Sequence, residues 1–232
     1  MNFLKKIYYS KYKKNSYAIS NVDLIIDRIF AKIKQGIYLD IGCNHPIKYN
    51  NTYLLYKRGW KGINIDSDEK SINAFNKFRK NNYNFKGLIS SSEKNINYYY
   101  YHDRSALNTV DKNLVKSRKA KPKKIIKLST TTINKIISNS PYENKKINLL
   151  SIDIENHEYE ALKNFNFKKY KIDIIVTECL NLKSKKLETQ NQSLKYILNS
   201  KIYKLLIKNN YNLINWVNSD LVFVYNKSKI KL

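Results

Sequence analysis

The sequence predicts an α/β fold built on a doubly wound sheet, mostly parallel, that closes on a C-terminal antiparallel hairpin. Short β-rich runs alternate with segments of helical period along the chain, the pattern of a sheet with crossover helices. One such run, residues 37–41, is apolar enough for a buried parallel strand and leads straight into a glycine turn at Gly42. Near the other end, residues 212–216 and 221–225 alternate around Asn218, Ser219 and Asp220, the residue types of a hairpin turn.

The elements between follow in order. Asn21 is the expected cap of a first helix over residues 22–35, with Leu24, Ile25, Ile29 and Ile33 on one side and Gly36 able to stop it. After the strand at 37–41, a helix is expected over about 51–58, ending at Gly59. A second strand over 61–65 closes on Asp66, and a helix follows from about Glu69 with Ile72, Phe75 and Phe78 at helical spacing. Residues 85–89 read as the third strand. Residues 96–101 read as an antiparallel piece whose continuation to Lys121 is loop-like, and 125–128 as a further short strand. A helix near 133–137 precedes two more main strands at 147–152 and 172–177. Residues 193–208 are helical in pattern, with Asn199 and Ser200 as a candidate interruption.

A chain of 232 residues can bury one good core, so the expected organisation is one domain over 21–232 behind a basic extension over 1–20. No run approaches the ~18 apolar residues of a membrane-spanning helix, and the cytosol is the default location. Cys43 and Cys179 are far apart and match neither a disulfide framework nor a zinc-ligand spacing. The net charge of +26 would ordinarily point to nucleic acid. Here the excess is lysine scattered along a chain equally crowded with asparagine, isoleucine and tyrosine, whose codons are rich in A and T. Arginine, the better phosphate fork, occurs only five times, so base bias explains the charge better than a binding face does.

The residues that carry chemistry recur at strand ends. In YLDIGCNHP (Tyr38 to Pro46) the turn places Asp40, Gly42 and Asn44 where a cofactor lies in open parallel sheets, with His45 next to them. Asp66, 24 residues after Gly42, sits near the offset at which an acid meets ribose hydroxyls. The alternative for Asp66 is a cap for the next helix, a role Ser67 or Asp68 fills equally well; Ser67 is also a candidate cofactor contact. SIDIENHEYE (Ser151 to Glu160) runs a buried strand into four acids and a histidine. Helix-dipole complementarity accounts for Glu158 and Glu160 but not for Asp153. Glu178 closes the next strand, so Asp153 and Glu178 flank one expected pocket, able to orient an acceptor hydroxyl, take its proton or hold a divalent cation such as magnesium. Asp153, Glu155 and His157 are the candidate catalytic groups. Tyr101, His102, Ser105 and Asn108, within the aromatic segment 98–116, are candidates for the acceptor wall together with Glu178.

Four runs in order, YLDIGCNHPIKYNNTYLLYKRGWKGINID, SALNT, INLLSIDIENHEYEALKNF and IDIIVTE, resemble the FkbM family of S-adenosylmethionine-dependent methyltransferases, and the likeness extends from about Ser16 to Tyr225. It implies a class I Rossmann-like methyltransferase fold and methyl transfer to an oxygen acceptor, often a hydroxyl of a sugar, glycan or glycosylated metabolite. By position, Asp40, Gly42 and Asn44 match the family's cofactor loop, Asp66 its second-strand acid, and Asp153, Glu155 and Glu158 its DxEGxE-like motif. Asn156 stands where that motif has glycine, and Asn210 where a GY pair precedes the last hairpin; asparagine tolerates the left-handed backbone those places call for. His45 and Pro46 replace a more general glycine and leave open how the methionine carboxylate is held.

Two other readings compete. A methyltransferase acting on RNA or DNA would suit the charge, but the NPPY and DPPY motifs and an extra binding module are absent. A non-catalytic protein of this fold could touch a partner, or weakly an anionic membrane, through FLKKIYYSKYKK, against which the intact Asp66 and Asp153 speak.

Overall fold

The computed structural model describes residues 14–182 and 189–230, so all but the last residue of the basic run Phe3 to Lys14 lies outside the described residues. Five parallel strands form most of the main sheet: β1 (Ile37–Ile41), β2 (Lys61–Asp66), β3 (Tyr83–Lys86), β7 (Leu149–Ile152) and β8 (Ile174–Glu178). The hairpin strands β9 (Tyr211–Val217) and β10 (Asp220–Tyr225) complete it antiparallel, in the order β3-β2-β1-β7-β8-β10-β9. A second sheet, ordered β4-β6-β5, joins β4 (Leu88–Ile89), β5 (Asn95–Tyr100) and β6 (Lys124–Thr131). The strand order reverses beside β1, which places the topological switch point over the carboxyl ends of β1 and β7.

Both faces of the main sheet are buried, and the strands show it with period two. Tyr38, Leu149, Ile174, Val176 and Val222 pack on one side with Val22, Ile26, Phe30, Leu55 and Trp60. Leu39, Leu150, Ile175 and Phe223 pack on the other with Ile136, Leu162, Ile202 and Leu206. Near the strand ends the first face turns polar. Asp40 is in register with Asn64 on β2 and Ser151 on β7, so three buried polar side chains form a row across the sheet.

Several local expectations needed correction. The first helix, α1 (Val22–Ile29), stops short of residue 35 because the Arg58 guanidinium takes the carbonyls of Phe30 and Ile33, both at 2.7 Å. Asn21 precedes α1 with φ 63° and makes no side-chain cap; instead Asp23 in the first turn accepts bonds from the Tyr17 N–H and the Ser16 hydroxyl. The next helix, α2, is Tyr53–Lys57. On α3 (Glu69–Phe78), Ile72 and Phe75 are buried but Phe78 is 52% exposed, a helix end rather than core. The expected third strand is two, because the Gly87 N–H bonds to the Asp66 carbonyl and the chain then leaves β2 for β6. The loop-like stretch holds α4 (Lys112–Ser117), capped by Asp111, and α5 (Ile133–Ser138) follows β6. After α6 (Glu158–Leu162), the long helical pattern is broken at Ser200 into α7 (Leu194–Asn199) and α8 (Lys201–Lys208). Residues 16–20 pack into the domain: Ala18 is in the core, the Tyr17 carbonyl accepts the Asn50 N–H, and the Ser20 hydroxyl bonds Asp220. Among the described residues no helix is long and apolar enough to cross a membrane.

The loop after β1 is held from below by Arg79, which is fully buried at the C-terminal end of α3. Its guanidinium donates to the Pro46 carbonyl (2.6 and 3.0 Å), the Asn50 side-chain carbonyl (2.8 Å), the Thr52 hydroxyl (2.8 Å) and the Tyr38 hydroxyl (3.0 Å). Four aromatic rings surround it, with Phe75 at 4.9 Å and Tyr56 at 5.0 Å from the guanidinium carbon. Thr52 and Asn50 in turn donate to Asp40 at 2.7 and 3.0 Å, so the buried charges are linked through one shared layer.

Replacing Arg79 by methionine leaves those acceptors unsatisfied and is expected to cost about 3 kcal/mol or more in urea denaturation; a loss under ~1 kcal/mol would show the loop holds itself. At Gly42, φ is +79° and an added Cβ would lie 1.7 Å from the Asp153 backbone oxygen. Gly42→Ala is therefore expected to lower the thermal midpoint by an amount equivalent to at least ~1–3 kcal/mol, with an unchanged midpoint as the contrary result.

Candidate active site

A crevice of about 220 Å³ opens over the carboxyl ends of β1, β2, β7 and β8. Gly42 makes its floor: the Gly42 and Cys43 N–H groups bond the Ile65 carbonyl at 2.9 and 3.1 Å, and the Asp153 N–H bonds the Ile41 carbonyl at 3.0 Å. With no side chain at Gly42, the backbone of β1 and β7 meets directly beneath the space. Asn44, at φ 48°, donates its N–H to Asp66 at 2.8 Å, while the Asp68 N–H meets the other Asp66 oxygen at 2.8 Å. Asp66 thus ties the first-strand loop to the second-strand turn, and burial raises its carboxyl to about 6. Asp68, not Ser67, caps α3 by accepting the Ser71 N–H, and its second oxygen accepts the Arg104 N–H at 2.9 Å. The Ser67 hydroxyl donates to the Tyr98 hydroxyl at 2.9 Å.

On the far side, Asp153, Glu158 and Glu178 bring carboxyl oxygens within 4.8 Å of one another. Glu158 accepts the Ile154 N–H at 2.7 Å, and Glu178 accepts the Ser219 hydroxyl at 3.2 Å through one oxygen. The other Glu178 oxygen is buried without a donor. Desolvation first, and then neighbouring carboxylates, push Asp153 and Glu178 well above the usual range. Burial carries Glu158 to about 7 and nearby Asp220 to about 6. Two carboxyl groups this close cannot both ionise cheaply, so each raises the pKa of the other.

Glu155 and Asn156 both have left-handed backbone, φ 57° and 71°. The Glu155 carboxylate is bound by Arg118, whose other nitrogen donates to the Leu107 carbonyl at 2.7 Å, and the Asn156 amide bonds Asp111. The Thr109 hydroxyl reaches the Glu155 carbonyl at 2.9 Å. Glu155 therefore anchors the 104–118 segment to the crevice wall. His157 lines the crevice with Nε2 3.1 Å from the Ser90 hydroxyl, and burial lowers its pKa, favouring the neutral ring.

Of the residues singled out from the sequence, the crevice gathers Gly42, Asn44, Asp66, Ser67, Ser105, Asn108, Asp153, Glu155, His157 and Glu178. Four lie elsewhere. Asp40 faces the polar row and a smaller neighbouring cavity. His45 turns its Nδ1 inward to accept the N–H groups of Ile47 (3.1 Å) and Lys48 (3.0 Å), making it a loop brace. Tyr101 is buried against the Ala120 carbonyl, and His102 is exposed beside Asp103. The segment 98–110 closes the Asp66 side of the crevice, through Tyr98 and Arg104, rather than only the Asp153 side. Sequence reasoning missed Arg79, Arg118 and Arg104, although five arginines among so many lysines were themselves a signal that forked donors are needed there. Among the described residues, five carboxyl groups line the crevice (Asp66, Asp68, Asp153, Glu155, Glu178) against one guanidinium, Arg104, and no lysine. The space is acidic inside a strongly basic chain.

The methyltransferase FkbM domain model matches residues 40–211, well over half of the chain and an interval that holds the carboxyl ends of all five parallel strands of the main sheet. The comparison with curated proteins gives no match. The mostly parallel seven-stranded sheet with its antiparallel terminal pair agrees with a methyltransferase fold. The chain belongs to the FkbM family of methyltransferases.

Proposed function

We propose that the protein transfers a methyl group from S-adenosylmethionine to a hydroxyl oxygen of a sugar, glycan or glycosylated metabolite. The observation that carries this reading is the acidic crevice at the switch point of a methyltransferase sheet, since the donor is a cation at its sulfur and at its amino group. The residues fit that donor. Asp66, free to accept further bonds at a strand end, suits ribose hydroxyls, with Ser67 beside it. The glycine floor at Gly42 and the left-handed Asn44 let backbone approach closely, and the carboxyl groups of Asp153 and Glu178 suit the cationic end. When bound, the donor supplies an electrophilic methyl group on positively charged sulfur.

The chain's own contribution is positioning and proton removal. Asp153, open to the crevice and paired with Glu178, accepts the proton of an acceptor hydroxyl. Glu155, held by Arg118, positions the 104–118 segment rather than taking a proton. His157 stays neutral against Ser90 and lines the wall. Phosphodiester acceptors are disfavoured because five carboxyl groups face the space they would enter. The three clustered oxygens of Asp153, Glu158 and Glu178 also have a spacing that accommodates a divalent cation, and chelation separates the two roles. Transfer that persists in EDTA assigns the cluster to proton transfer, and loss restored by magnesium assigns it to a metal.

Labelled methyl transfer to a panel of glycans, nucleotide sugars and RNA tests the reading, with label expected on carbohydrate. Asp153→Asn is expected to lower kcat, measured at saturating donor, by about 10²–10⁴; full activity of that variant would remove Asp153 as the base. Burial pushes Asp66 in the crevice up to about 6 and Glu158, clustered with Asp153 and Glu178, up to about 7. A cation favours their ionised forms, so raising the pH from ~5.5 to ~8 is expected to strengthen binding of S-adenosylmethionine relative to uncharged-sulfur S-adenosylhomocysteine. Calorimetry at several pH values checks this, and a constant ratio would mean the sulfonium does not face the cluster.

A further inference from the structure

One stretch departs from the even scatter of charge. Residues 112–127 carry seven lysines and Arg118, so half of the positions are cationic, against 44 of 232 in the whole chain, and no acid occurs between Asp111 and Glu143. Base bias enriches lysine throughout a chain; it does not gather it into one segment and clear the acids from around it.

The fold makes that segment a strip at the rim of the crevice. It opens with α4, whose cap Asp111 directly follows the crevice residues Thr109 and Val110, and Arg118 pins it there on Glu155. It then runs into β6, where the Lys123 N–H bonds the Tyr100 carbonyl at 2.8 Å. All seven lysines are exposed. Among the described residues none of them forms an ion pair, whereas Lys70, Lys86, Lys135 and Lys163 each meet a carboxylate at 2.6–2.7 Å. Ile125 stands amid these charges and is 59% exposed. By the period of a strand it shares the wet face of β6 with Lys127 and Ser129, while Ile126 and Leu128 on the other face are partly buried.

We infer that residues 112–127 dock the protein on an anionic phospholipid bilayer, with the lysines among the headgroup phosphates and Ile125 entering the acyl boundary. Any polyanion is drawn to such a strip, and its composition selects the bilayer. It offers an exposed aliphatic side chain and no aromatic ring on which a base could stack. Its one arginine, the forked phosphate donor, is already taken by Glu155. Unpaired ammonium groups around an apolar tip match a surface that is negative outside and apolar within. The docking itself is independent of the chemistry in the crevice. Its consequence for substrate, that the methylated sugar is carried by a membrane lipid, rests on the methyltransferase reading: the acidic crevice suits the neutral sugar, and the basic strip beside it suits the phosphates.

The test is flotation of the full chain, without donor, on phosphatidylcholine vesicles and on vesicles containing about 30 mol% phosphatidylglycerol. Binding is expected to be at least ~10-fold stronger on the anionic vesicles and to weaken as salt is raised. Each lysine at such a surface contributes about 5-fold, so changing Lys119, Lys121, Lys123 and Lys124 together to glutamine is expected to cost at least ~100-fold, and Ile125→Ser about 5-fold. The same charge removed from the exposed Lys32, Lys34, Lys61 and Lys80 is expected to cost less than ~5-fold. No binding of the parent to anionic vesicles, undiminished binding of the strip variant, or equal losses in the strip and control variants overturns the proposal. If the strip variant loses a single-stranded RNA oligonucleotide instead of the vesicles, the strip is a nucleic-acid surface and the proposal falls. Every variant is expected to bind S-adenosylhomocysteine within ~2-fold of the parent by calorimetry, which shows that it folds. Failure of the parent to bind S-adenosylhomocysteine would sink the methyltransferase reading and leave the docking result standing.

Discussion

The buried guanidinium of Arg79 is the contact on which the rest of the site depends. It lies at the end of α3, yet its bonds run to the loop after β1, so it couples the third helix to the first strand turn. That loop has little regular structure of its own between Cys43 and α2. Its shape comes from the Arg79 fork, from the His45 ring bracing two N–H groups, and from Asp40 receiving Asn50 and Thr52. A lysine at the same place has no planar set of five donors and could not span these acceptors. Gly42, Asn44 and Tyr49 keep positive φ because this network leaves them no alternative.

Charge is distributed in the opposite sense to what composition suggests. The chain carries +26 overall, while the crevice is lined by carboxyl groups. Outside residues 112–127, lysine on the surface is well solvated and expresses little about function. The few arginines are spent structurally: Arg58 closes α1, Arg79 shapes the first loop and Arg118 binds Glu155. The acids collect at strand ends because a parallel sheet delivers the carboxyl ends of β1, β2, β7 and β8 to one place. Each costs desolvation there, visible in the raised values of Asp66, Asp153, Glu158 and Glu178, and a cationic ligand offsets that cost.

Much of the site was legible in order along the chain. Asp66, Asp153 and Glu178 could be placed because each ends an apolar run, and strand ends in such a sheet converge. Asn156 and Asn210 stand in for glycine and do take left-handed backbone. His45, Asp40, Tyr101 and His102 fall outside the lining of the main crevice for a common reason. Sequence position brings a residue to a loop but does not say whether its side chain turns to the ligand or back to the fold, and for these four hydrogen-bond partners or burial draw it away from the crevice. Asn21 enters the first helix with left-handed backbone and makes no side-chain cap, and the Val22 N–H goes to the Ser20 hydroxyl instead, a choice invisible in helix propensity.

By itself the sequence determined the apolar runs of the parallel strands, the alternating terminal hairpin and the acids that close the runs, because apolar runs and side-chain alternation are local properties of the chain. Only the tertiary structure decided that Tyr98 and Arg104 close the Asp66 side, that Arg118 binds Glu155, and that Ile19 and Tyr49 flank Asp153. Those relations join residues tens of positions apart, and they arise from which hydrogen-bond donors each buried acceptor finds once the strands have assembled.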